Sequence, residues 1–176
     1  MQRFFAFILL LTVFPILLLV GIVTILVEWQ SPIFLQARRG RNYKPFTIVK
    51  LRTMKNGKIT FLGKVWRKTG IDELTQLINI VKGDMSFVGP RPLTEYDIER
   101  LEWNKPEHNV RWKVKPGITG LAQLVNVCDK DVSWQNDIDY ISRKSVSLDI
   151  RILTRSALVP LLGKKQAKSI LHKAKA

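Results

Sequence analysis

Between Phe4 and Val27 the sequence carries no charged residue, and near the middle of that stretch stands Pro15. As a straight helix the run would be roughly 36 Å long, enough to cross a hydrocarbon core. It is too long for a signal peptide, and no small-residue cleavage site follows it. A proline inside a helix removes one hydrogen bond and clashes with the carbonyl four residues back. Two arms of about a dozen residues would each reach only about 17 Å, so a hairpin could enter one leaflet and return to the same face. A single kinked spanning helix is the other reading, because membrane helices tolerate proline. The residues alone leave both open. Arg38, Arg39, Arg41 and Lys44 follow the run closely and put the bulk of the chain on the cytoplasmic side.

The 176 residues suffice for one soluble domain plus an appendage. Lys and Arg outnumber Asp and Glu 29 to 14, a formal charge of +15. That balance calls for an anionic partner: nucleic acid, anionic lipid or a phosphorylated substrate. The one cysteine, Cys128, excludes an internal disulfide and reads as a small packing residue. His108 and His172 are isolated, and no Cys/His spacing suggests zinc.

After the apolar run, Trp29 and the patch Pro32 to Leu35 suit the headgroup level. The basic tract Arg38 to Lys44 reads either as a turn attracted to anionic lipid or as a lid over a phosphorylated ligand. Pro45 to Met54 is rich in β-branched residues and is expected as a strand, with Arg52 near its end. Lys55 to Lys58 is a turn, and Phe61 to Lys68 an amphipathic helix.

Leu74, Leu77, Ile78 and Val81 follow the helical i, i+3, i+4, i+7 pattern. Thr69 is expected as N-cap and Gly83 as the stop, so Asp72 and Glu73 fall in the first turn. Complementing the helix dipole explains two acids there. A carboxylate held ionised on stiff backbone is equally what a nucleophile or metal ligand requires. Neighbours on a helix diverge by about 100°, so the two acids suit distinct roles rather than one shared proton. Val88-Gly89-Pro90-Arg91-Pro92 fixes two φ angles and presents Arg91, either as a structural turn or as a bidentate phosphate ligand.

In the second half, Leu93 to Trp103 is expected to be helical with Leu93, Tyr96 and Leu101 facing the core. Val110 to Val114 alternates as a basic strand and feeds the two-glycine loop Pro116 to Gly120, whose N–H groups can face an anion. Leu121 to Val125 is a short apolar element, and Asp129 to Asp131 a loop. Trp134 to Ile141 is helical or mixed, and Leu148 to Val159 apolar. The basic tail, residues 164–175, suits a membrane surface. No nucleic-acid module is recognisable.

Ile71-Asp72-Glu73-Leu74, Gln76-Leu77, Lys82-Gly83-Asp84-Met85-Ser86 and Val88-Gly89-Pro90-Arg91-Pro92 together resemble the signature of the bacterial sugar transferases, the small monotopic polyprenyl-phosphate phosphoglycosyl transferases. Lys50-x-Arg52-Thr53-Met54 and Val114 to Gln123 are similar to further blocks of that family, in its order and spacing. The resemblance implies an α+β, mainly helical protein. Residues 1–30 would form a re-entrant membrane helix-break-helix hairpin broken at Pro15. Residues 31–176 would form a cytoplasmic catalytic domain with short strands and amphipathic interfacial helices. The chain would be the minimal form, without the extra N-terminal spans of larger members.

The same resemblance implies a two-step reaction. Asp72 would attack the β-phosphorus of a UDP-sugar, releasing UMP and retaining the phosphosugar. Polyprenyl (undecaprenyl) phosphate would then take it, as polyprenyl diphosphate sugar. Glu73 would complete the catalytic pair. Arg52, Arg91, Arg111, Lys115 and Gln123 would bind substrate phosphates. Mg²⁺ would spread the phosphoryl charge, with Asp72 and Asp137 as its ligands. The implied partners are the UDP-sugar, polyprenyl phosphate and membrane lipid, not nucleic acid, and a homodimer is compatible. The implied site is the cytoplasmic face of a bacterial inner membrane, at the first membrane step of glycan assembly. Two departures stand out: Phe14 where many members have Ser, and Val125 to Asp129 where many have Asn-Gly-Arg. The second leaves the sugar open. A non-enzymatic, membrane-anchored basic lipid- or nucleic-acid-binding protein is the competing reading. It explains the charge and the apolar run but not the three blocks together.

Overall fold

The computed structural model describes residues 1–125 and 129–158. Cys128, His172, most of the loop that departs from the family pattern and the basic tail lie outside them. The protein is mostly helical, with one long apolar N-terminal helix and three two-stranded sheets among the described residues. By contact density it divides into two compact units. The first comprises Met1–Ala37 and Thr47–Gly83; the second comprises Arg38–Phe46 and the described residues from Asp84 onward.

In the first unit, α1 (Gln2–Glu28) runs unbroken through Pro15. One proline deletes a single i→i−4 bond while its neighbours keep theirs, so the helix continues as one element rather than two. Trp29, in the left-handed conformation at φ 50°, closes it. The buried positions of α1 are Ala6 at one end and Val20, Thr24 and Glu28 at the other. The turns around Pro15 contribute none, and Leu11, Phe14, Ile16 and Leu19 are exposed. Both ends are bonded to the same unit. Arg3 Nε donates to the Val81 carbonyl at 2.7 Å, and Glu28 Oε1 accepts the Leu62 N–H at 3.2 Å.

β1 (Ile33–Arg39) pairs with β2 (Pro45–Leu51). β3 (Met54–Lys55) and β4 (Lys58–Ile59) form a minimal antiparallel hairpin. Its turn is Asn56-Gly57, both at positive φ, the geometry Asn-Gly favours. α2 (Phe61–Thr69) starts on Thr60, whose hydroxyl accepts the Gly63 N–H. Here the sequence expectation needs correction. Thr69 is the last residue of α2, its hydroxyl turned back to the Val65 and Trp66 carbonyls, and not an N-cap. The expected single helix is two: α3 (Ile71–Leu74) and α4 (Leu77–Lys82). Between them the backbone tightens into three-residue turns, and the Thr75 hydroxyl bonds both to the Val49 carbonyl at 2.9 Å and back to the Asp72 carbonyl at 3.3 Å. Gly83, at φ 95°, stops α4 as expected.

In the second unit, β5 (Ser86–Val88) pairs in parallel with β6 (Gly117–Thr119). α5 (Glu95–Arg100) is held by a capping box between Thr94 and Asp97. Ile98, not Tyr96, is its buried residue; Tyr96 faces solvent. The expected strand Val110 to Val114 is instead part of a 3₁₀ helix, Pro106–Lys113. Proline begins it, and Arg111 and Trp112 turn inward together, which strand alternation would forbid. α6 (Leu121–Val125) is followed by α7 (Lys130–Arg143), capped by Asp129, and residues 146–158 are helical. Two apolar clusters form this unit's core. Val88, Leu124, Tyr140 and Ile152 make one; Leu93, Ile98, Trp103 and Trp112 make the other.

Candidate active site

Asp72 and Glu73 occupy the first turn of α3 because Gly70, at φ 74° and ψ 7°, ends α2 and redirects the chain. Only glycine enters that region without steric cost. Asn79 of α4 ties this segment to β2. It is fully buried, accepts the Val49 N–H at 3.0 Å and donates to the Thr47 carbonyl at 2.7 Å. A side-chain amide thus takes the place of a neighbouring strand.

The two acids are treated differently by their surroundings. Lys50, on β2, donates from Nζ to Glu73 Oε1 at 3.1 Å. Asp72 forms no ion pair among the described residues and is half-buried. Burial and the adjacent Glu73 push its carboxyl up from the ordinary value, against the pull of Lys50 and Arg67. A helix start was expected to favour the ionised form. A four-residue helix offers little dipole, so desolvation prevails. Arg67 is fixed by its Nε bond to the Thr53 hydroxyl at 2.8 Å. Lys50 and Arg67 were not among the site residues inferred from sequence. Lys50 lay within a quoted block, but its partner is 23 residues away. Arg52 faces the segment that follows α1: it donates to the Ser31 and Ile33 carbonyls at 3.0 and 3.2 Å and lies over the Phe34 ring.

The remaining expected site residues belong to the second unit. Arg91 is exposed. Arg111 and Asp137 are buried against each other, Nε to Oδ2 at 2.8 Å. Burial pushes the Asp137 carboxyl up and the Arg111 guanidinium down, and their attraction opposes both shifts. Arg111 also lies between the Trp103 and Trp112 rings, at 5.1 and 5.0 Å, and donates to the Arg91 carbonyl at 2.6 Å. Lys115 is partly buried beside the tight approach of Gly89 to Gly117. Gln123 keeps a buried Oε1 without a hydrogen-bond partner among the described residues. No group of three or more metal-ligating side chains occurs among the described residues. A metal held by one or two carboxylates and substrate phosphates needs no such group. Asp72 has the free carboxylate for that arrangement, whereas Asp137 spends its own on Arg111.

The family model described as bacterial sugar transferase matches residues 1–163. Among curated proteins, the chain is 35% identical over 172 residues to a UDP-glucose:undecaprenyl-phosphate glucose-1-phosphate transferase of Caulobacter vibrioides, covering 84% of this chain and 64% of that protein. It is 37% identical to the uncharacterized sugar transferase EpsL of Bacillus subtilis, covering 78% of this chain and 74% of EpsL. It is 35% identical to a UDP-N-acetylgalactosamine-undecaprenyl-phosphate N-acetylgalactosaminephosphotransferase of Aeromonas hydrophila, of which it spans 38%.

Proposed function

Because this chain belongs to the bacterial sugar transferase family, we propose that it is a phosphoglycosyl transferase, moving a phosphosugar from a UDP-sugar to undecaprenyl phosphate or a similar polyprenyl phosphate. The observation that carries the reading is the asymmetry of the acidic pair: Glu73 is neutralised by Lys50, while Asp72 is left without an ion pair among the described residues. An oxygen of Asp72 attacks the β-phosphorus of the donor. The bond from that phosphorus to the bridging oxygen breaks, and UMP leaves with the oxygen. A terminal oxygen of polyprenyl phosphate then attacks the same phosphorus. The bond to Asp72 breaks, which restores the carboxylate and yields polyprenyl diphosphate sugar. Glu73, held by Lys50, assists Asp72. Arg91 binds donor phosphate as a bidentate guanidinium. Asp72 would also be the residue to hold Mg²⁺, which would supply neutralisation of charge developing on the phosphates.

The N-terminal helix is proposed as a re-entrant element at the cytoplasmic face of a bacterial inner membrane, bent at Pro15 while keeping helical hydrogen bonding on either side. Support comes from Arg3 and Glu28, at opposite ends of α1, both bonding into one unit, and from burial at both ends but not around Pro15. A helix crossing the bilayer would carry Arg3 about 30 Å from the face holding Glu28.

The test is UMP release from a panel of UDP-sugars, with polyprenyl phosphate, Mg²⁺ and detergent. The wild type releases UMP and forms a covalent adduct, and Asp72→Asn forms none; adduct formation by that variant at the wild-type rate refutes the nucleophile. Tags at the two termini are accessible from the same side of the membrane; accessibility from opposite sides refutes the re-entrant element.

A further inference from the structure

Four consecutive carbonyls, those of Pro90, Arg91, Pro92 and Leu93, are each taken by a donor. The Gly117 N–H donates to Pro90 at 3.0 Å, Arg111 Nη2 to Arg91 at 2.6 Å, Arg38 Nη1 to Pro92 at 3.1 Å, and the Arg39 N–H to Leu93 at 2.9 Å. The donors come from three separate segments. Prolines at 90 and 92 fix two φ angles of the same loop. Its backbone is therefore fully determined, while the Arg91 guanidinium makes no hydrogen bond or ion pair among the described residues.

Two of the four donors are arginine guanidiniums that are themselves fixed. Arg111 is held by Asp137 and by two indole rings, which leaves Nη2 for the Arg91 carbonyl. Arg38 Nη1 reaches both the Pro92 carbonyl and Asp97 Oδ2, at 3.3 Å, and Asp97 is anchored in turn by Thr94. A buried ion pair is seldom a net source of stability, and apolar side chains of similar volume would fill the space as well. A carbonyl in a proline-bounded loop, however, cannot be held by an apolar group. We propose that Arg111 and Arg38 are positioning residues: they grip the carbonyls of Arg91 and Pro92 so that the Arg91 guanidinium is presented in one geometry to the donor diphosphate. Arg111 thus acts through Arg91 and does not itself touch phosphate. The proposal rests on the reading above that Arg91 binds the donor.

The test uses the full chain in detergent and reads kcat, KM for the UDP-sugar, and Kd for UDP. Arg111→Met combined with Asp137→Leu removes the pair without leaving a lone buried charge. Arg38→Leu releases the neighbouring carbonyl and leaves that pair intact, so it serves where the double variant does not fold, as judged by thermal melting and near-ultraviolet circular dichroism. Each is expected to raise KM and Kd on the order of 10- to 100-fold, the scale of a small misplacement of a binding group. Adding Arg91→Ala should weaken binding no further than Arg91→Ala does alone. A folded variant with unchanged KM and Kd, or losses that multiply with that of Arg91→Ala, overturns the proposal. If Arg91→Ala by itself leaves UDP binding intact, the reading of Arg91 fails and the positioning role falls with it. If Arg91→Ala weakens binding but both clamp variants do not, only the positioning role fails.

Discussion

Lys50 and Glu73 meet at 3.1 Å, Nζ to Oε1, and this contact sets the two adjacent acids apart. Glu73 has a counter-charge. Asp72, one residue earlier, has only the longer-range pull of Lys50 and Arg67 against its burial and the repulsion of Glu73. Adjacent residues with such unequal surroundings suit the separate roles proposed for them, nucleophile and assistant.

Lys50 is one of two cations that draw the Asp72 carboxyl downward. Lys50→Met should push it further up, so the acid limb of kcat/KM against pH moves to higher pH. Lys50→Arg keeps the cation and should leave the limb near its wild-type position. An acid limb that does not move in the Met variant would show that Lys50 does not act on the group titrating there.

The raised Asp72 carboxyl also bears on stability. The folded state holds its proton better than the unfolded state, so ionising Asp72 disfavours folding once the pH exceeds the unfolded value of about 3.9. Below that value the group is protonated in both states and makes no difference. Asp72→Asn should therefore melt above the wild type at pH 7, with the gap closing as the pH falls toward about 4. A variant melting below the wild type at pH 7 would contradict this sign.

Asn79→Leu leaves the Val49 N–H and the Thr47 carbonyl without their partners. Losing two part-buried hydrogen bonds costs roughly 1–3 kcal/mol, which lowers Tm by roughly 3–10 °C for a chain of this size. A Tm within about 2 °C of wild type, under 1 kcal/mol on that scale, would mean that water replaces the amide.

Two glycines should respond differently to alanine. At Gly70 a Cβ meets nothing within 4 Å, so Gly70→Ala bears only the strain of φ 74°, about 1–2 kcal/mol. At Gly117 a Cβ would lie 2.1 Å from the Gly89 nitrogen and 2.4 Å from the Thr119 oxygen, so β5 and β6 must separate. Gly117→Ala should lower Tm well beyond Gly70→Ala. Equal melting temperatures would refute the close approach.

Local physics made several elements legible without coordinates. An uncharged, mostly apolar run of two dozen residues reads as helix, with its course at Pro15 left open. Asn56-Gly57 turns the chain through its own φ preferences, and Gly83 ends a helix for the same reason. The acidic pair was legible from its motif. What the sequence left undecided concerned groups whose partners lie far along the chain. Val-Arg-Trp-Lys-Val alternates as well as any strand, and only the presence of Asp137, 26 residues after Arg111, with Trp103 beside it, made the segment a 3₁₀ helix with its arginine inside. The Thr75 hydroxyl finds the Val49 carbonyl across space, and the unequal pairing of Asp72 and Glu73 comes from Lys50. The sequence by itself determined which charged residues the chain brings. Tertiary structure decided which charges cancel and which stay free, because that depends on distances across space that no local preference encodes.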